Sequence, residues 1–288
     1  MERRNVLALS CLAFLLIGVT GFPQDKSPYR IFSKHGKAVD YEKMVKAAAG
    51  NEVVLFGEHH DNSIIHLLEL EFAKDLAAKK KLIMGAEMIE TDNQPQLERY
   101  LKGEITQKQL DSTARLWSNY KTDYKPLVDF AKEKKLKFIA TNVPRRYASM
   151  VYKNGFEALQ NLPSEEQAMM PPLPIAYDKN LPGYVRMVEE MGGHGGDNLP
   201  KAQALKDATM AWSIIINMSI DAVFVHYNGT YHSDNFDGIY WYMKKERPNI
   251  KILTIATVSQ HDISTLEKDN HNKADFIIVI DEDVTKTY

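Results

Sequence analysis

The sequence predicts an α/β fold: a mostly parallel central sheet with helices on both faces and an inserted helical and loop subdomain. Three observations lead there. Short apolar runs recur along the chain, each closed by polar or turn residues, as strands buried on both faces do. Helically spaced apolar residues fill segments between them. One long segment, 154–200, carries no strand pattern.

Residues 1–22 read as a secretory signal peptide. Arg3 and Arg4 precede an apolar run from Val6 to about Gly18, and small residues follow near Thr20 and Gly21. The run is short for a spanning helix, which argues against a retained membrane anchor. Cys11 lies inside the run rather than after it, which argues against a lipid-modified cysteine. The expected destination is outside the cytoplasm: periplasmic, membrane-associated or secreted. Cys11 is the only cysteine of the 288 residues, so the mature chain must rest on its hydrophobic core without disulfides. Its formal charge moves from −2 to −3 when Glu2, Arg3 and Arg4 are removed. No strongly basic stripe appears, and nucleic acid is not an expected partner.

The first half of the core, 23–153, holds three strand-like runs: "EVVLFG" (52–57), "KLIMGAEM" (81–88) and "LKFIATNV" (136–143). After the first comes a helix with Ile65, Leu68, Phe72 and Leu76 on one stripe and Lys79, Lys80 and Lys81 toward its end. Residues 154–200, rich in Pro, Met and Gly, are too long for a simple connection and read as short helices and loops beside the sheet. They form a lid or pocket wall, or else a surface excursion. The second half, 201–288, opens on the apolar helix "KAQALKDATMAWSIIINMS" (201–219). Strand-like runs follow at 221–229, 249–258 and 274–281.

In open α/β sheets, ligands bind beyond the carboxyl ends of the strands. Glu58 and His60 follow the first strand, Glu87 ends the second, and His232 follows the run at 221–229. "GEHH" (57–60) and "GTYH" (229–232) share the form Gly-x-x-His, the glycine permitting a sharp exit from the strand. Two carboxylates and two imidazoles there suit a divalent ion or metal-free general acid–base work. Glu87 stands inside an apolar run, where an unpaired charge would be costly. In "ATNVPRRYA" (140–148), Pro144 opens a helix and Arg145 or Arg146 faces the same crevice, matching a carboxylate. Taken singly, His59, His66, His226 and His261 fit ordinary loop or cap roles.

These residues resemble the ChaN-like haem-binding family, within a larger group that includes Tiki proteases, TraB proteins and erythromycin esterases. The resemblance rests on "VVLFGEHHDNSIIH" (53–66), "GAEM" (85–88), "NVPRR" (142–146), "QALKDATMA" (203–211) and the second Gly-x-x-His turn. It covers nearly all of the mature chain. The chain departs from the family pattern in the longer polar stretch "HYNGTYHSDN" after its strand. The resemblance implies an exported haem-binding protein associated with iron or haem uptake, with a membrane or uptake-system partner and a homodimer as further expectations.

A porphyrin needs an apolar slot, an axial ligand and cations for its propionates. Met169, Met170, Pro171, Pro172, Leu173 and Tyr177 are slot-wall candidates, unless they simply pack. His194 in "MGGHGG", Tyr177 and Tyr184 are ligand candidates, and His66, inside the resembling segment, is a further cofactor-binding candidate. No CxxCH is present for covalent haem attachment. The alternative is a metal-dependent hydrolase, protease- or esterase-like. In it Glu58, His60, Glu87 and His232 would hold manganese or zinc, with Glu58 or Glu87 as base and Arg145 as oxyanion partner.

Overall fold

The computed structural model describes residues 27–192 and 196–288. The expected signal peptide and His194 lie outside these residues. The chain starts with β1 (Tyr29–Ser33) and α1 (Tyr41–Ala48), then β2 (Val53–Glu58), α2 (Ser63–Ala77) and β3 (Lys81–Glu90). Three helices, α3 (Gln94–Leu101), α4 (Gln107–Thr113) and α5 (Lys125–Lys134), lead to β4 (Lys137–Asn142) and α6 (Arg145–Asn154). After α7 (Ser164–Gln167) and α8 (Pro182–Glu190), the long α9 (Asn198–Asn217) returns the chain to the sheet. The last elements are β5 (Ala222–Gly229), α10 (Ile239–Glu246), β6 (Ile252–Gln260) and β7 (Phe276–Asp281).

The seven strands lie in the order β1-β7-β6-β2-β5-β3-β4, all parallel except β1, which runs antiparallel to β7. The six apolar runs became the six parallel strands. β1 was not foreseen, because "YRIFS" is short and only Ile31 and Phe32 of its five residues are buried. One face of the sheet carries α1 to α5, with Phe56 set edge-on to Phe72 at 5.4 Å. The opposite face carries α9 and α10 against Val53, Leu55, Ile83 and Phe224. The open edge of β4 is blunted by Gln94, whose amide donates to the Phe138 carbonyl and accepts from the Ala140 N–H, as a neighbouring strand would.

One feature of the order governs the rest. β2 and β3 follow each other in sequence, yet β5, from late in the chain, lies between them. The end of β5 is therefore flanked by the ends of β2 and β3. Residues 154–200 hold short helices packed on α6 and α9, where Met170, Val151, Leu159 and Leu205 share an apolar cluster. Val143 belongs to the same cluster and carries it to the end of β4.

Candidate functional site

Glu58 is the last residue of β2 and pairs in register with Gly229, the last residue of β5. Both Gly-x-x-His turns thus leave the sheet side by side. Their glycines are required by close approach. A Cβ on Gly57 would stand 2.8 Å from the Ile255 carbonyl oxygen, and one on Gly229 would stand 2.7 Å from His60 Nε2. Glu87 is reached through an irregularity in β3, where pairing with β4 skips from Ala86–Ala140 to Glu90–Asn142. Such bulges re-aim side chains at sheet rims.

Two relays converge on Gly229. In the first, His60 Nδ1 lies 2.6 Å from Glu58 Oε1, which also accepts the Tyr124 hydroxyl at 2.7 Å. In the second, His232 Nε2 lies 3.1 Å from Glu87 Oε1 while its Nδ1 meets Asp207 Oδ1 in a short bond. Glu87 Oε2 accepts the Gly229 N–H at 2.8 Å, and Tyr184 donates to Asp207 at 2.9 Å. The longer "HYNGTYHSDN" stretch therefore still delivers its histidine to Glu87. His60, whose side chain is 30% exposed, is the open member; Glu58 and Glu87 are buried.

The charges follow from this pairing. Burial alone would strip His232 of its proton, but the Glu87 and Asp207 carboxylates outweigh it and raise the imidazole to about 10. Burial likewise pushes Glu87 up, and the His232 imidazolium outweighs that, holding the carboxyl well below its usual range. His60 is raised as well: its bond to Glu58 and the nearby Glu87 charge overcome burial. His226, in mid-strand, goes the other way. Burial lowers it to about 4, and as a neutral ring it accepts from Thr141 and donates to Asn228. It is a structural histidine.

A crevice of about 510 Å³ opens above the relays. Leu116, Trp117 and Val143 supply apolar wall, Arg115, Arg145 and Lys206 supply cations, and Glu87 lies at its floor. Arg145 reaches it from the first turn of α6, whereas Arg146 is committed to Asp92. Trp117 meets the His60 ring edge-on at 4.9 Å.

The structure thus brings Glu58, His60, Glu87, His232 and Arg145 to one rim. The first four lie as two pairs, Glu58 with His60 and Glu87 with His232, and both His232 nitrogens face carboxylate oxygens. The cofactor candidates are dispersed. Met170 is packed in the insert's core, Tyr184 is buried on Asp207, and Tyr177 stacks on Tyr184 with ring centroids 5.9 Å apart. His66 lies beneath the rim on α2, its Nε2 donating to the His60 carbonyl at 3.0 Å.

Sequence reasoning missed Asp207, Glu69, Tyr124, Trp117, Arg115, Lys206 and Tyr288. Two of these carry a signal: Asp207 and Glu69 are carboxylates on the apolar stripes of α9 and α2, where each must find a partner. Asn62 starts α2 just past the histidines by accepting from the Ile64 and Ile65 N–H groups, which fixes where His66 and Glu69 fall. Tyr124 closes a π-helical turn, Tyr120–Tyr124, whose register apolar periodicity does not reveal.

No curated protein matches the chain in sequence. Among solved structures, the ChaN protein of Campylobacter jejuni, described with cofacial haem binding, superposes with a TM-score of 0.66 at 16% identity, covering 88% of this chain and 96% of that one. The type III effector HopBA1 gives a TM-score of 0.48 at 14% identity over 83% of this chain and 91% of its own. RRSP, a toxin effector domain from Vibrio vulnificus, gives 0.46 at 14% identity over 86% of this chain and 40% of its own. At those scores the two effectors carry no argument. The family described as "Haem-binding uptake, Tiki superfamily, ChaN" matches residues 44–243, and the chain belongs to that family.

Proposed function

We propose that this protein is exported and binds haem in the crevice above Glu87, taking part in haem or iron uptake. The observation that carries the reading is the crevice's composition: a cofactor-sized space with an aromatic and aliphatic wall and three cations at the carboxyl ends of a parallel sheet. Leu116, Trp117 and Val143 would bury porphyrin surface, while Arg115, Arg145 and Lys206 would meet the propionates. Bound haem would supply an iron centre needing an axial donor, and Tyr288, which lines the crevice, and His60 at its rim have donor atoms to offer. Family membership supports haem as the ligand, and residues 1–22 support export. The cofacial arrangement described for the Campylobacter protein favours a second copy of the chain meeting this one over stacked haems. A membrane or uptake-system partner would then receive the cargo.

Titrating the purified protein with hemin tests this. A saturable Soret band distinct from that of free hemin is expected, weakened by Arg145→Ala and shifted by Tyr288→Phe or His60→Ala. If only the free-hemin spectrum appears, the reading fails. Sedimentation with and without hemin tests the second copy.

A second reading, an acid–base hydrolase, is favoured by the facing Glu58–His60 and Asp207–His232–Glu87 relays. An imidazolium fixed between carboxylates can donate a proton, and the more open His60 can take one from water once deprotonated. Hydrolysis of ester or peptide substrates, abolished by His60→Ala and tested with and without manganese or zinc, would support it.

A further inference from the structure

Beneath the rim, the side chains of Glu58, His66 and Glu69 bring three potential ligand atoms together. His66 Nε2 donates to the His60 carbonyl, so in the neutral ring the lone pair is on Nδ1. That Nδ1 lies 3.2 Å from Glu69 Oε2 and 3.7 Å from Glu58 Oε2. Both carboxylates are buried, with 1% of Glu58 and none of Glu69 exposed. Glu58 Oε1 is taken by His60 and Tyr124, but Glu58 Oε2 and Glu69 Oε1 have no hydrogen-bond partner among the described residues. Buried acceptors without donors are costly, and something positive must lie among them.

We propose that Glu58, His66 and Glu69 form a site for one divalent transition-metal ion, zinc or manganese in ligand preference, distinct from the crevice and independent of haem. One ligand atom from each residue lies within 4.8 Å of the others. The two separations from His66 bracket about 3.4 Å, the edge of a tetrahedron whose ligands stand about 2.1 Å from the ion. An imidazole with two carboxylates suits such ions, and two anionic ligands with a neutral ring balance a divalent charge. Outer contacts agree. His66 Nε2 is held by the His60 carbonyl and lies 3.5 Å from Asp123 Oδ2, and Asn119 bonds both that carbonyl and Asp123. Ligating histidines are commonly oriented in this way through the nitrogen that does not bind the metal. The same carboxylate that holds the ion through Oε2 orients His60 through Oε1, so the site braces the rim from below.

The test is equilibrium dialysis of the full folded chain against zinc or manganese alone, with metal counted per chain. Wild type and Glu87→Gln should each retain one ion, Glu69→Gln none, and Asp123→Asn should bind about 10-fold more weakly. Cobalt substitution gives a readout on wild type alone, with paramagnetic broadening centred on the amides of His66 and Glu69. Folded wild type that retains no metal, or retained metal whose broadening centres elsewhere, overturns the proposal. So does a Glu69→Gln protein that keeps its ion. A gain in stability in metal-free Glu69→Gln with no metal bound by wild type would identify a proton as the positive charge instead.

Discussion

Replacing Glu87 by Gln is the sharpest probe of the paired relays. The amide keeps the volume and can still accept the Gly229 N–H, so the change falls on the charge facing His232. His232 is raised from 6.5 to about 10 in the folded protein. A raised histidine contributes stability that is complete below its unfolded pKa near 6.5 and is lost as pH climbs through about 10. That interval corresponds to about 5 kcal/mol at most, at about 1.4 kcal/mol per unit, and the value is shared among coupled groups. Removing one of two carboxylate partners from a buried ion should therefore cost about 3 kcal/mol at pH 7. The penalty should shrink toward pH 10, where wild type is losing the same charge. Urea unfolding at pH 7 and pH 10 reads the stability, and the nitrogen shifts of the imidazole read the ring. A wild-type His232 that titrates near 6.5, or a variant penalty that does not change with pH, would refute the reasoning.

Other outcomes follow from the same geometry. His226 is depressed from 6.5 to about 4, so the unfolded chain binds its proton first as pH falls; its contribution is complete above 6.5 and lost by about pH 4, up to about 3 kcal/mol. His226→Gln should flatten that part of the pH–stability curve. Gly229→Ala places a methyl 2.7 Å from His60 Nε2, and should cost about 2 kcal/mol and displace the ring, seen as a changed His60 titration. Phe72→Ala removes a fully buried ring from the face opposite α9 and should cost about 4 kcal/mol in urea unfolding while leaving the His232 titration in place. Arg145→Ala should weaken hemin binding without changing the melting temperature, because Arg145 is exposed and lines the crevice, whereas Arg146→Ala also breaks the pair with Asp92.

How much of the site was legible depended on the residue. Glu58, His60 and His232 announced themselves because a Gly-x-x-His ending on a buried run is a local pattern. Glu87 did so because a carboxylate in an apolar strand needs a partner. Asp207 and Glu69 carried the same signal on helices, where one polar position in an otherwise apolar stripe is easily read as surface. Trp117, Arg115, Lys206 and Tyr288 carried none, since a residue lining a crevice differs from a surface residue only by what stands opposite it. Tyr177 and Tyr184 were ambiguous for a related reason: an aromatic in a loop-rich insert fits a slot and a core equally well, and here Tyr184 bonds Asp207 while Tyr177 stacks on Tyr184.

The sequence by itself determined that this is a parallel α/β protein, because continuous apolar runs of strand length can be satisfied only in a sheet covered on both faces. It also determined which strand ends carry chemistry, since charge can persist in such runs only at the rim. Only the tertiary structure decided that β5 enters between β2 and β3. That choice depends on contacts between residues well over a hundred positions apart, and no local pattern encodes it. It is also what sets His60 against Gly229 and His232 against Glu87, turning four polar residues into one site.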